Sequence, residues 1–306
     1  MSLTPESTPD FDTCDMAAST ALAISPFTEL SSLIPQNHHY SFQTKVKLTN
    51  LVERVLKQCQ TSGTGCYILI SGISGDLLDG IDTAFARRGI RAKTRFTFEP
   101  ALHCLIIKLT IGVPHEVACE SFMEAITDRI KLLPGHTWKM YKLVGSATYY
   151  SPSTNSRAKE ADKALKPRTR GPNGFPSLVI EVGYSESLAE LRCDASWWLI
   201  GSGGATLMVI IIEISRTPLS LKVECWTMTA NPNARTRRSP LEVPNRNQYF
   251  EIDARGDVTG DPELESQDLV IPYIYIFDEI HNNMAPIVLL ESELSELALS
   301  IFEECT

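Results

Sequence analysis

The stretch "GFPSLVIEVGYSESLAELRCDASWWL", Gly174 to Leu199, constrains the fold more than any other part of the chain. It reads as an apolar strand, a turn and an amphipathic helix. It is followed by "ATLMVIIIEI", Ala205 to Ile214, which is apolar throughout, as a central strand buried on both faces would be. One carboxylate, Glu181, interrupts the run Leu178-Val179-Ile180-Glu181-Val182. A lone buried carboxylate costs several kcal/mol, so something must satisfy it: a basic side chain, hydrogen bonds or a cation. An ordinary ion pair with Arg192 or Lys163 would suffice.

The remaining patterns give an α/β order. "FQTKVKLTNLVERVLKQCQ" has apolar residues at helical spacing, "CYILIS" is a short buried strand, and "DLLDGIDTAFARRG" is a helix with Gly89 as C-cap. "RAKTRFTFEP" and "ALHCLIIKLT", the second apolar with a polar break, read as paired strands. "HEVACESFMEAITDRIKLL" is a helix with Val117, Phe122, Ala125, Ile126 and Ile130 on its apolar face. "TWKMYKLVGSATYY" reads as a strand, and "LSLKVECWTM" as another after a turn at Pro218. A loop is expected from Asn231 to Asn247, strand or loop at "DLVIPYIYIFDEI", and an acidic helix at "ESELSELALSIFEE". Helix and strands alternate after Pro114, which implies a mixed sheet. The chain divides into a polar arm over 1–37 expected to lack regular structure, an N-terminal α/β extension over 38–112, and a core with a C-terminal helix over 113–306.

The carboxylates nearest upstream of Glu181 are Glu160 and Asp162, in "RAKEADKALKP". Two neighbouring strands would bring Asp162 and Glu181 to one spot. Such a pair of hard oxygen donors suits Mg²⁺ or Mn²⁺. The basic residues from Arg157 to Arg170 would then hold a phosphate backbone; as a bland alternative they form a solvated loop. Ser187-x-x-Glu190 is a capping box opening the next helix, where Arg192 and Ser196 share a stripe one turn apart.

"KEADKALKP … PSLVIEVGYSESLAELRCDASWWL … VIIIEIS" resembles the restriction-endonuclease-like PD-(D/E)XK superfamily, closest to the Uma-type nucleases and their divergent relatives in fungal genomes. The resemblance covers roughly Pro114 to Trp226. It implies an αβββαβ core with a mixed sheet, Asp162 and Glu181 as metal ligands and catalytic residues, and a further carboxylate from Glu116 or Glu120. The implied activity is Mg²⁺-dependent phosphodiester hydrolysis, with a nucleic acid as partner. The family's lysine stands two residues after the acid, where this chain has Gly183, or on the following helix, where it has Ser196. Arg192 can stabilise charge there but cannot act as a base. These departures and the net charge favour the alternative of an inactive nuclease-fold protein that serves as a nucleic-acid or protein interaction module; the order Asp162…Glu181 and the local basic cluster favour the first reading, a metal-dependent nuclease with a degenerate site.

Other motifs carry less. The net charge of −9 argues against a chain that coats nucleic acid non-specifically. The eight cysteines lack zinc spacing and read as buried thiols in a reducing compartment. His115 and Cys119 share a helical face and read as packing. "GYSES" lacks the last glycine of a nucleophile elbow, "GSGG" follows a helix rather than opening one, and "SGISGDLLDG" lacks the Lys-Ser/Thr of a P-loop. Of Trp197 and Trp198, one is expected inside and one at an edge. The acidic start and the absence of a long apolar run lead to the expectation of an intracellular protein, cytoplasmic or nuclear, without a membrane anchor.

Overall fold

Alternation of apolar side chains explains how the strands stack into layers. The computed structural model describes residues 25–110, 112–145, 147–151, 158–184, 186–232, 240–262, 266–278 and 284–305. In chain order the helices are α1 (Pro26–Leu33), α2 (Lys45–Ser62), α3 (Leu78–Arg87), α4 (Val113–Leu132), α5 (Leu188–Gly201), α6 (Ile274–Phe277) and α7 (Glu291–Glu303). The strands are β1 (His39–Ser41), β2 (Cys66–Ser71), β3 (Thr94–Glu99), β4 (Cys104–Leu109), β5 (Tyr141–Val144), β6 (Thr148–Tyr150), β7 (Ala158–Glu160) and β8 (Lys163–Pro167). They continue with β9 (Leu178–Tyr184), β10 (Met208–Arg216), β11 (Leu219–Ala230), β12 (Glu242–Asp253), β13 (Val258–Gly260), β14 (Leu269–Ile271) and β15 (Ile287–Leu289).

Two mixed sheets result. The first runs β1-β2-β4-β3-β7-β6, the second β13-β12-β11-β10-β9-β8-β5, and β14 and β15 form a separate hairpin. In the second sheet β8 runs antiparallel to both β5 and β9, and β10 lies parallel to β9 after the α5 crossover. On β9, Leu178, Ile180, Val182 and Tyr184 pack with α4 and α7, while Val179 packs with α5. Both faces are therefore covered, which is why β9 and β10 read as nearly continuous apolar runs.

Helix α5 lies between the sheets. Leu191, Ala195, Trp198 and Leu199 pack on the second sheet, and Cys193 joins Phe27, Leu30 and Ile34 of the α1 region against Tyr67 and Ile106 of the first. Helices α2 and α3 cover the far face of the first sheet. One departure concerns the expected tryptophan pair: Trp197 and Trp198 are both buried and pack in the same cluster between α5 and the second sheet.

Other departures have local causes. Pro26–Leu33 form α1, capped by Ser25 and pinned by Phe27 and Leu30, where an irregular arm was expected. "TWKMYKLVGSATYY" divides into β5 and β6, which belong to different sheets. After β5 the chain crosses to the first sheet for β6 and β7, then returns for β8. Glu160 fastens that excursion: it pairs with Arg91 at 2.5 Å and accepts from Phe96 N at 3.1 Å and Thr148 Oγ1 at 2.8 Å. Glu242 to Asn247 belong to β12 rather than a loop, because β11 and β12 form one long hairpin. "LVIPYIYIF" splits at Pro272 into β14 and α6. Cys14, Arg157, Ser185 and most of "SPSTNS" lie outside the described residues. No helix among the described residues is long and apolar enough to cross a membrane.

Candidate functional site

Asp162 directly precedes β8, and the register Lys163↔Ile180 places it one step further along, opposite Glu181 of β9. The two carboxylates do converge. What stands between them is the ammonium of Lys108, carried by β4 of the other sheet. Lys108 Nζ lies 2.6 Å from Asp162 Oδ2, 3.3 Å from Glu181 Oε2, 3.7 Å from Glu186 Oε2 and 2.7 Å from Val182 O. The side-chain exposures of Lys108, Asp162 and Glu181 are 4%, 0% and 1%.

Lys108 reaches this position because alternation along β4 sends it to the face opposite Ile107. Ile107 joins the α2–α3 core, while Lys108 points toward the second sheet. Its in-register neighbours, Tyr67 and Arg95, share that face. Tyr67 Oη donates to Asp194 Oδ2 at 2.9 Å, and Lys159 Nζ reaches Asp194 Oδ1 at 2.5 Å. Arg95 Nε comes within 3.4 Å of Asp162 Oδ1 but directs its hydrogen bond to Ala161 O. Helix α4 contributes His115, whose Nε2 stands 3.3 Å from Asp162 Oδ2. Asp162 Oδ2 also accepts from Val182 N at 3.1 Å, and Trp198 Nε1 donates to Glu181 Oε1 at 2.6 Å. A buried polar layer thus joins the two sheets.

Burial and charge divide the acids. Burial alone would raise Asp162, but Lys108, His115 and Arg95 hold its carboxyl well below the usual range. Burial pushes Glu181 up to about 8 against the pull of Lys159 and Lys108, although both its oxygens accept hydrogen bonds. Burial also drives Glu186 well above its ordinary value, with Lys108 opposing. Desolvation would lower Lys108; Asp162, Glu186 and Glu181 together raise it well above the ordinary value. Asp162–Lys108 and Asp194–Lys159 are the layer's closest ion pairs, and burial favours the protonated forms of Glu181 and Glu186 beside them.

This donor set does not suit a divalent cation. A protonated Lys108 cannot ligate, and its charge stands within 3.3 Å of both carboxylates that would have to hold the ion. Among the described residues no group of three or more His, Cys, Asp or Glu side chains is arranged to bind a metal. Four buried polar atoms have no hydrogen-bond partner among the described residues: Thr110 Oγ1, His115 Nε2, Asp162 Oδ1 and Glu186 Oε2. A polar cluster of this kind is suited to buried water, which needs two to four such partners.

The remaining residues singled out from the sequence lie elsewhere. Arg192 forms a bidentate pair with Glu224, at 2.6 and 3.0 Å, and its side chain is 41% exposed. It faces β11, not the acid pair, because the α5 surface next to β9 is occupied by Leu191, Ala195 and Trp198. Glu116 is 64% exposed and comes no nearer than 4.0 Å to His115 Nδ1. Glu120 pairs with Lys163, so neither Lys163 nor Arg192 is the partner of Glu181. The basic run is mostly engaged internally: Lys159 with Asp194, Lys166 with Pro172 O, and Arg170 with Asp278 and two carbonyls. Among the described residues of the run, Arg168 is the exposed cation. The Ser187–Glu190 capping box forms as read, and Gly203 and Gly204 take positive φ in the turn after α5.

Glu224 is fully buried yet keeps two other donors, Trp226 Nε1 at 2.8 Å and Arg246 Nη1 at 3.4 Å. Arg192→Ala is therefore expected to cost only about 1–2 kcal/mol in urea unfolding. A loss of about 3–5 kcal/mol, as for a stripped buried charge, would show that those donors do not compensate.

Lys108 was the residue that sequence reasoning passed over. Its signal was present: a lysine inside "LIIKL" is the same anomaly as a glutamate inside "LVIEV". Compared with known proteins, the chain matches no family model and no curated sequence.

Proposed function

We propose that the chain is a non-catalytic interaction module built on a restriction-endonuclease-like core, with Lys108 seated where a nuclease of that kind would hold its metal. The order α4, β5, β8, β9, α5, β10, with β9 and β10 parallel, supports the αβββαβ reading. So does the placement of Asp162 at the head of β8 and Glu181 in the middle of β9. One observation carries the non-catalytic half of the proposal. The Lys108 ammonium contacts both acids at 2.6 and 3.3 Å in a layer closed by the first sheet.

A metal-dependent hydrolase needs an open coordination position and access for a phosphodiester. Here the acids face a lysine, a tryptophan indole and a second sheet. Keeping such a cluster rigidifies the junction between the sheets, provided that its groups are satisfied.

Titration calorimetry of the full chain with Mn²⁺ tests the proposal. No saturable heat at millimolar Mn²⁺ is expected, together with no Mn²⁺-dependent cleavage of single- or double-stranded DNA or RNA. Saturable binding at micromolar Mn²⁺ that disappears in Asp162→Asn would restore the nuclease reading and overturn this one.

A further inference from the structure

Strand β5 is the last strand of the second sheet, and its outer edge faces no other strand among the described residues. The orientation of its backbone follows from β8. Leu165 O accepts from Ser177 N on the β9 side, so Ala164 and Lys166 turn their backbone groups toward β5. Their partners Val144 and Lys142 are thereby bonded inward. The N–H and C=O groups of Tyr141 and Leu143 point off the edge. Open edges of this kind template an added strand unless they are covered or blunted.

The surroundings select what can be added. Trp138 is 63% exposed and Leu143 48%, with Met140 between them on the turn that leads into β5. Lys139, Lys142 and Arg168 are exposed beside them. Lys139 Nζ and Arg168 Cζ each stand 5.9 Å from the Trp138 ring centre. No ion pair among the described residues involves any of these three cations. In a chain of net charge −9, that is a local positive surface around an unpaired strand edge.

We infer that the β5 edge receives an extended acidic peptide from a partner protein, which adds as a strand with its carboxylates on Lys139, Lys142 and Arg168. This inference rests on the interaction-module reading and names its partner chemistry. Backbone bonding to Tyr141 and Leu143 supplies affinity and the cations supply selection, the division of labour of strand addition. A second copy of the chain fits poorly, since antiparallel pairing of two β5 edges brings Lys142 near its own counterpart. A nucleic acid would use the Trp138 face for stacking, but Lys139 and Arg168 already flank that ring, and a base has no use for the strand's N–H row.

The test is fluorescence anisotropy of the full chain with a labelled heptapeptide, EVEVTVE, against the basic KVKVTVK and a twelve-nucleotide single-stranded DNA. Saturable binding of the acidic peptide is expected, with KVKVTVK at least about tenfold weaker and the oligonucleotide failing to compete. Leu143→Pro should weaken binding about tenfold, because it removes an outward N–H while leaving the bonds to β8 intact. The double variant Lys142→Glu with Arg168→Glu, at exposed positions that do not threaten folding, should do the same. The proposal is overturned by absent binding, by binding unchanged in that double variant, or by equal binding of KVKVTVK. Displacement by the oligonucleotide also overturns it and assigns the surface to nucleic acid. None of these results touches the Mn²⁺ titration, which reads the Asp162–Glu181 cluster, so failure of either proposal is seen separately.

Discussion

Lys108→Met is expected to lower the unfolding free energy by about 3–5 kcal/mol at pH 8, and by distinctly less at pH 5. The substitution fills the same space with an unbranched apolar chain, so lost packing is small. What it removes is the ammonium that stands within 3.7 Å of three buried acids at once, Asp162, Glu181 and Glu186. The pH dependence follows from the direction of each shift. Asp162, held low in the fold, contributes stability above its unfolded pKa that is lost as pH falls through the folded one; without Lys108 much of that contribution disappears. Glu181 and Glu186 are raised, so the fold holds their protons while the unfolded chain releases them. Stability therefore declines as pH rises from the ordinary carboxylate range toward about 8, the folded value of Glu181. The wild-type chain should show this decline, and the variant should show it more steeply and to higher pH, because Lys108 no longer draws the two glutamates down. Urea unfolding at pH 5, 6.5 and 8 measures it. Equal losses at all three values would mean that the lysine acts through packing, not through charge.

Trp198→Ala is expected to cost about 3–5 kcal/mol. Trp198 is fully buried and meets Tyr149, Phe175 and Trp197 edge-on, with ring centres 5.8, 6.4 and 5.3 Å away. Truncation leaves a cavity in the layer between α5 and the second sheet and also deprives Glu181 Oε1 of its donor. Trp198→Phe separates these effects. It keeps most of the ring volume and loses the indole N–H, which is expected to cost about 1–3 kcal/mol for an unsatisfied buried acceptor. A phenylalanine variant as unstable as the alanine one would show that the hydrogen bond to Glu181, and not the ring, dominates. Denaturant midpoints with near-ultraviolet circular dichroism distinguish the outcomes.

The site was half legible. Asp162, just before β8, and Glu181, on β9, belong to segments that are neighbours in both sequence and sheet, so period and order were enough to bring them together. Lys108 was not placed, because its contact crosses from one sheet to the other. No periodicity in a single chain encodes which face of β4 will meet which face of β9. His115 was read with Cys119 at one helical turn, and that contact forms, with Cys119 Sγ 3.9 Å from His115 Nδ1; the other side of the ring was not foreseen. Its contact with Asp162 depends on how the start of α4 abuts the second sheet. Arg192 illustrates the opposite limit: its stripe on α5 was readable, but which strand it faced depended on β11, a hairpin partner beyond the motif. The elements themselves were mostly recoverable where apolar runs were long. They were lost where proline, as in "VIPYI", or a change of sheet, as between β5 and β6, broke a run into pieces with different destinations.

The excursion of the chain through β6 and β7 has a consequence for biosynthesis. The first sheet lacks two of its strands until residues 148–160 have been made, yet those residues are spelled out in the middle of the second. A nascent chain emerging from the ribosome therefore cannot finish one half before starting the other. Cutting the gene between codons 112 and 113 would leave the first sheet without β6 and β7 and strand those two on the fragment that carries the second, so the smallest unit worth expressing spans both.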